Sequence, residues 1–415
     1  MTTEKIQGTA AMPQAGAPPQ RGRHLPDSSE TEAIEKARAD MLQQGRITHR
    51  DRIGADALCE ALIHQGVDVI FGYPGGVILP LYDVWADYPE LRTILVRHEQ
   101  GAAHAADGYA RASGRVGVCL GTSGPGATNL VTGIATAQLD SVPMVALTGN
   151  VPGALLGKDA FQEIDISGIT LPMTKHNYLV RDADDIPRVI AEAFHIARTG
   201  RPGPVHVDFT KDALTAETQA QNPTTLNLPG FKPRFDGHPR QVKLAAKAIA
   251  AAERPVILAG HGVLIADATE ELRTFAHKAQ IPVTWTLLGV GDIPEDDPLA
   301  YGYMGMHGWK HVNKAIQSSD LLIALGMRFD DRVTGSVSTY APNAQIIHVD
   351  IDPSEIGKNV AVDIPIVGDV GNVLRAFIKA VPEVDPAARK AYFDELAEWR
   401  AESEAISWHG SGGWK

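Results

Sequence analysis

Apolar and polar positions along this chain alternate between two kinds of segment. From Asp51 onward, amphipathic stretches of helix length take turns with short apolar runs bounded by Gly and Pro. Leu58 and Leu62 share one face of a helix that Gly66 can cap. Residues 67–71 then read as a strand, as do 93–96, 116–120, 143–147 and 204–209, with helices over 100–112 and 187–198 among the connectors. Strand, helix, strand at this spacing predicts right-handed crossovers and a parallel sheet covered on both faces. A first α/β domain is therefore expected over 51–216. A Pro/Asn/Thr-rich stretch, 217–239, has the composition of a linker. The alternation resumes with helices over 241–252, 269–280 and 308–317 and strands over 255–259, 282–286, 321–325 and 345–351, giving a second α/β domain over 240–380. The expected fold class is α/β, two doubly wound parallel-sheet domains in tandem. Residues 381–415 read as a charged, helix-like tail ending in the aperiodic Trp408-His-Gly-Ser-Gly-Gly-Trp-Lys415. Residues 1–50 hold too few apolar side chains to offset their ordering entropy and read as a disordered tail.

Composition narrows the function classes. The 415 residues carry 38 Lys+Arg against 50 Asp+Glu, a net charge of −12. An acidic excess spread along the chain argues against nucleic-acid binding, which needs clustered cations, and against an anionic membrane surface. No stretch approaches the ~20 apolar residues of a membrane helix, and no apolar signal core opens the chain. Two cysteines, Cys59 and Cys119, cannot build a disulfide framework or a structural zinc site. A soluble protein of a reducing compartment, the cytoplasm, is expected.

Three segments carry candidate chemistry. Gly72-Tyr-Pro-Gly-Gly76 follows a strand, where glycines let a backbone or ligand approach closely, but by itself it is better read as a plain strand-to-helix turn. Glu99, in Arg97-His-Glu-Gln-Gly-Ala-Ala-His104, sits where an apolar strand ends and a Gly/Ala helix begins. Its bland reading is a carboxylate favoured at a helix N-terminus by ~0.3–1 kcal/mol. Its functional reading is a carboxyl that shares a proton with a ring nitrogen stacked against small neighbours. Thr122-Ser-Gly-Pro-Gly-Ala-Thr-Asn129 opens a helix with backbone amides suited to a polar ligand, and it lacks the Lys of a nucleoside-triphosphate loop.

Together these segments resemble the thiamine-diphosphate-dependent enzymes, specifically the large catalytic subunits of acetohydroxyacid (acetolactate) synthase. The resemblance continues through Asp159-Ala-Phe-Gln-Glu163, Gly200-Arg-Pro-Gly-Pro-Val205, Lys211-Asp212, Gly305-Met-His-Gly308, Arg328-Phe-Asp-Asp-Arg-Val-Thr-Gly335, His348-Val-Asp-Ile-Asp352 and Pro365-Ile-Val-Gly-Asp369. It implies decarboxylation of pyruvate and condensation with a second 2-ketoacid, pyruvate or 2-ketobutyrate, in branched-chain amino acid biosynthesis. Glu99 matches the glutamate that hydrogen-bonds the aminopyrimidine ring of thiamine diphosphate and promotes proton removal from the thiazolium. Phe161, Gln162, Lys211, Met306 and Arg332 match substrate-access and pocket positions, and a guanidinium such as that of Arg332 suits a ketoacid carboxylate. The second domain resembles an FAD-binding domain whose flavin is structural, with Arg201, Gly260, Gly262, Thr286, Arg328, Asp350, Glu355, Gly368 and Asp369 at matching positions. The pattern Gly260-His-Gly262 by itself is a weak nucleotide motif.

The family also carries a third domain that holds the cofactor diphosphate through magnesium, with a Gly-Asp-Gly signature followed about 25–30 residues later by Asn. Val290-Gly-Asp292 and Val367-Gly-Asp369 lack the second Gly and the downstream Asn. No metal ligand is assigned here, and the expectation is a chain lacking that domain and inactive alone. The resemblance implies a homodimer or higher oligomer joined through the first domain, and a small regulatory subunit as partner. Two other readings stay open: a non-catalytic FAD-binding or assembly protein of this fold, and another thiamine-diphosphate enzyme such as glyoxylate carboligase or pyruvate oxidase.

Overall fold

In a computed structural model, residues 51–405 are described, and they form two compact units. The expected disordered tail over 1–50 and the aperiodic 407–415 lie outside the described residues. Among the described residues, the first unit comprises 51–198 together with Gly203–Leu226, and the second comprises Thr199–Pro202 and 227–405.

The first unit is built on strands β1 (Val69–Gly72), β2 (Arg92–Leu95), β3 (Gly117–Gly121), β4 (Met144–Asn150), β5 (His176–Val180) and β6 (Pro204–Thr210). All pair in parallel, in the order β2-β1-β3-β4-β6-β5. Helix Glu99–Ser113 covers one face with Ala102, Ala103, Ala106 and Ala110, against Cys119, Met144 and Ala146 of the sheet and Ile134 and Ala137 of helix Val131–Asp140. Its small residues let it lie close. A Cβ on Gly117 would stand 2.1 Å from the Ala106 carbonyl oxygen, and one on Gly133 would stand 2.3 Å from the Ala103 Cβ. Helices Gly54–His64 and Ile186–Arg198 pack together, the latter across β4, β5 and β6. Gly114 in the left-handed region ends helix Glu99–Ser113 at its C-cap.

The second unit uses β7 (Pro255–Ala259), β8 (Val283–Trp285), β9 (Ala300–Tyr303), β10 (Leu321–Leu325), β11 (Gln345–Asp350) and β12 (Ile364–Val367), again all parallel, in the order β12-β11-β10-β7-β8-β9. Strand residues divide by parity. Ile257, Ala259, Ile323, Leu325, Ile347 and Val349 face helices Pro239–Ala251, Thr269–Ala279 and Val370–Ala380, while Val256, Leu258, Leu322, Ala324 and Ile346 face the other side. Burial on both faces accounts for the unbroken apolar runs read in the sequence.

Two features depart from the sequence reading. Strands β5, β9 and β12 were not among the predicted strands, and each is an edge strand: β5 is half polar, β9 carries Gly302 at φ +129°, and β12 contains Pro365, which an edge tolerates. Helix Lys390–Glu404, expected as a tail beyond the second domain, instead packs Tyr392, Leu396 and Trp399 onto Val256, Leu258 and Ile316. Just before it, the buried Arg389 guanidinium donates to the carbonyls of Ile249, Ala252, Ala279 and Gln280, closing the C-terminal ends of two helices at once.

Candidate functional site

In each sheet the chain first builds outward one way and then the other. The reversal falls between β1 and β3 in the first sheet and between β7 and β10 in the second. Loops leaving the carboxyl ends of those strand pairs part around a crevice, the usual ligand position of open α/β sheets.

At the first reversal, Gly72 ends β1 and the loop to Gly76 runs beside the loop that follows β3. A Cβ on Gly75 would stand 2.4 Å from the Thr122 Cβ, so only glycine allows this approach. Glu99 enters from the end of β2, as the first residue of its helix. The helix is capped by His98, whose Nδ1 accepts from the Gln100 amide, so the Glu99 carboxylate is not spent on capping. It is 8% exposed and turns to the neighbouring short helix Pro125–Asn129, where Oε2 accepts from Asn129 Nδ2 at 2.9 Å. Oε1 lies across from Gly126, whose Cβ, if present, would stand 3.3 Å from it. The Thr122 and Ser123 hydroxyls of the loop after β3 are buried with no hydrogen-bond partner, and Thr122 flanks Gly126 together with Glu99 Oε1. Buried polar atoms ordinarily find partners, so an orphan Thr122 hydroxyl near a buried carboxylate marks a place suited to a polar ligand. A ring with donor and acceptor nitrogens fits this donor set.

Gln162 joins this group. Its backbone carbonyl and Cα lie where a Cβ on Gly124 would stand, at 2.7 and 3.0 Å, and it holds φ +57°, a costly conformation for a non-glycine residue. Phe161 beside it is 88% exposed, an unusual position for a phenyl ring. Lys211 is exposed at the start of helix Lys211–Thr215, after β6 on the same carboxyl edge, and no contact ties it to Glu99.

In the second unit, Met306 and Arg332 are brought together. The Met306 amide donates to the Arg332 carbonyl at 2.7 Å, and Arg332 Nη1 stands 3.8 Å from Met306 Sδ with both side chains exposed. Arg201 donates to Glu355 Oε1 at 2.6 Å and to Asp352 Oδ2 at 3.1 Å. Glu355 is buried and its other oxygen has no partner. Asp350, at the end of β11, has its carboxyl pushed up to about 7 by burial, and the Gly368 amide donates to its carbonyl. Asp369 caps helix Val370–Ala380 through the Asn372 amide. Thr286 directly follows β8 and is half-buried. Gly260 and Gly262 are consumed by packing: a Cβ on either would meet Gly326 backbone atoms at 2.5–2.6 Å, which makes them a close strand-to-helix contact first. The half-buried Arg328 guanidinium has no ion-pair partner among the described residues and, with the free oxygen of Glu355, is what a nucleotide could engage. These two groups fit a flavin dinucleotide more sparsely than the first site fits its ring.

Residues left unassigned by sequence reasoning matter here. Asn129, Thr122 and Ser123 stood in a quoted motif without roles, and their signal was the loop itself. Asp292, weighed only as part of a metal signature, is fully buried with both carboxylate oxygens unpartnered, and burial pushes it up to about 8. Among the described residues, no group of three or more His, Cys, Asp or Glu is placed to hold a metal ion. Among the same residues, no helix is long and apolar enough to cross a membrane.

The model of the thiamine pyrophosphate enzyme N-terminal TPP-binding domain matches residues 52–169, and that of the thiamine pyrophosphate enzyme central domain matches 242–377. A probable acetolactate synthase large subunit of Methanocaldococcus jannaschii is 56% identical over 348 residues, 83% of this chain and 59% of that protein. An acetolactate synthase of Mycobacterium bovis is 58% identical over 325 residues, 78% of this chain and 53% of that protein. An acetolactate synthase large subunit of Corynebacterium glutamicum is 53% identical over 362 residues, 87% of this chain and 57% of that protein. The chain thus spans a little over half the length of these relatives.

Proposed function

The chain belongs to the thiamine pyrophosphate enzyme family, among the relatives of acetolactate synthase large subunits, and on that premise we propose that it contributes the Glu99 half of an acetolactate synthase active site. The reaction is the decarboxylative condensation of pyruvate with a second 2-ketoacid. The observation that supports this reading is the buried Glu99 carboxylate, near the orphan Thr122 hydroxyl, at the first sheet's reversal.

Thiamine diphosphate, when bound, supplies a nucleophilic carbon and a sink for the electrons released on decarboxylation. The chain's own residues do the rest. Asn129 fixes Glu99 through Oε2 and leaves Oε1 free to hold or pass a proton to a ring nitrogen. Thr122 and Ser123 offer hydroxyls to the same ligand. The Gly-Pro-Gly turn keeps the approach open, since a side chain at Gly126 would press on Glu99. Phe161, Gln162 and Lys211 line the approach of substrate, and Arg332 with Met306 receives the carboxylate of the second ketoacid. Arg201, Arg328, Asp350 and Glu355, with Gly260, Gly262, Thr286, Gly368 and Asp369 around them, hold a structural FAD. The magnesium ligands belong to the further length that the relatives possess. A homodimer through the first unit, a small regulatory subunit and a cytoplasmic setting complete the reading.

The test mixes this 415-residue chain with the remaining length of the Corynebacterium glutamicum relative, thiamine diphosphate, magnesium and FAD, and follows pyruvate conversion to acetolactate. Acetolactate formed by the mixture and lost with Glu99→Gln supports the proposal. FAD retention without acetolactate favours an assembly role instead.

A further inference from the structure

The loop that carries Phe161 and Gln162, residues 151–165, leaves β4 at Asn150 and runs into helix Ile166–Thr170. Both of its stems are tied to one pair of side chains on β6. His206 and Asp208 occupy alternate positions of that strand, opposite Ala146 and Thr148 of β4. His206, Asp208, Thr148 and Thr170 are each at most 1% exposed, and Asn150 is 5% exposed. On the entry stem Asn150 Nδ2 donates to Asp208 Oδ2 at 2.6 Å, while Asn150 Oδ1 accepts from the amide of Val151, the first residue of the loop, at 2.8 Å. On the exit stem Thr170 Oγ1 lies 3.0 Å from His206 Nδ1. Thr148 joins the two ties: its hydroxyl donates to Asp208 Oδ1 at 2.6 Å and stands 2.7 Å from His206 Nε2.

A neutral imidazole and an ionised carboxylate satisfy this chain of contacts throughout. Thr148 gives its proton to Asp208, so His206 donates from Nε2 to Thr148 and accepts at Nδ1 from Thr170, whose one proton lies between Nδ1 and the Ile166 carbonyl 2.9 Å away. Burial pushes His206 down to about 4 and Asp208 up to about 6, so at pH 8 the ring is neutral and the carboxylate charged. Apolar side chains would fill this layer of the sheet at less cost, since a buried carboxylate depends on having its hydrogen bonds made. What the polar chain adds is direction, because each bond fixes where one stem of the loop lies.

Between the stems the loop braces itself. The Glu163 carboxylate accepts from the Gly157 and Ala160 amides, and Asp159 and Gln162 hold φ +52° and +57°. A loop braced in this way moves as a unit, so the anchoring of its stems decides where Gln162 meets Gly124 of the turn after β3. Asn177 of β5 adds a further hold on the exit side, donating to the Ser167 carbonyl at 2.8 Å.

We propose that His206 and Asp208, acting through Asn150, Thr148 and Thr170, are positioning residues that set the place of Phe161 and Gln162 at the approach of substrate. The hold on the loop stands on the geometry alone; its consequence for catalysis rests on the function proposed above.

Thr170→Val removes the exit hydroxyl with little change of shape, Thr170→Ser keeps it, and Asn150→Ala removes the entry tie. Thr284→Val controls for general destabilisation, because it removes a buried hydroxyl of the second unit that donates to the Ile257 carbonyl at 2.9 Å. Hydrogen exchange of the full chain at pH 8, followed by mass spectrometry, reads the loop directly. Peptides spanning 151–170 should exchange about fivefold faster in Thr170→Val and Asn150→Ala, the effect of one lost hydrogen bond, and at the natural rate in Thr170→Ser and Thr284→Val. In the mixture with the remaining length of the Corynebacterium glutamicum relative, the two disrupting variants should raise the KM for pyruvate about fivefold with kcat within about twofold of natural, because Glu99 and Asn129 are untouched. Thr170→Ser and Thr284→Val should keep the natural KM. Unchanged exchange over 151–170 in either disrupting variant, or a natural KM in an active mixture, overturns the proposal; should one of these variants not fold, the other decides. Faster exchange with no acetolactate from the mixture of the natural chain would instead defeat the functional reading and leave the anchoring of the loop in place.

Discussion

The two sheets share a topology of reversal yet use their crevices differently. At β1/β3 the loops leave polar atoms unsatisfied around Glu99, and the glycines keep space open. At β7/β10 Gly260, Gly262 and Gly326 spend their missing side chains on each other's backbones, and the nearby carboxylates are largely bound to Arg201. The same residue type thus makes room for a ligand in one unit and for the protein itself in the other. A glycine-rich turn is evidence of a site only when the space it leaves is not already taken.

That contrast predicts opposite consequences of substitution. The largest effect should come from Glu99→Gln in the complemented enzyme, a loss of about 10²–10⁴-fold in turnover with the melting temperature hardly moved, because Asn129 can still donate to the amide oxygen. An unfolded Glu99→Gln protein would erase the distinction between the two crevices. Next, Gly262→Ala should destabilise the second unit by about 3 kcal/mol in urea denaturation, since its Cβ would stand 2.6 Å from the Gly326 Cα. A neutral result would mean that this crevice, too, is open.

Asp292 sharpens the comparison with pH. Its carboxyl is raised to about 8 from an unfolded value of 3.8, so between these the folded state holds a proton the unfolded state lacks. Its contribution is complete below the unfolded value and is lost as pH rises, at up to about 1.4 kcal/mol per pH unit. Urea midpoints across that window should fall in the natural chain and fall less steeply in Asp292→Asn. Phe161→Ala should give the smallest change, within about 0.5 kcal/mol of natural stability, because the ring is 88% exposed. A loss several times larger would show the ring to be structural.

Much of this was legible because burial writes itself into sequence. Strands β7, β10 and β11 are covered on both faces, and their unbroken apolar runs were readable as strands. Three of the four edges were harder: β5, β9 and β12 trade part of their apolar pattern for solvent, a glycine or a proline, and period alone does not reveal them. At the first crevice Glu99 was found from its place between strand and helix. Asn129 was not, because its role depends on a contact between two helix ends 30 residues apart in the chain. His206 and Asp208 lay within a correctly predicted strand, where their alternation at period two was the signal of a shared polar face. The helix Lys390–Glu404 was misplaced as a tail because its apolar residues Tyr392, Leu396 and Trp399 are spread thinly among charges.

Arg389 gives the second unit a timetable. A chain made from its N-terminus must expose the ends of helices Pro239–Ala251 and Thr269–Ala279 long before the guanidinium that closes them exists, since it lies 109 to 140 residues further on. Until then those carbonyls stay with water, and the sheet face that awaits Tyr392, Leu396 and Trp399 stays bare. During synthesis the second unit is therefore a vessel sealed last, and the interval before Arg389 emerges is when a chaperone would have most to protect.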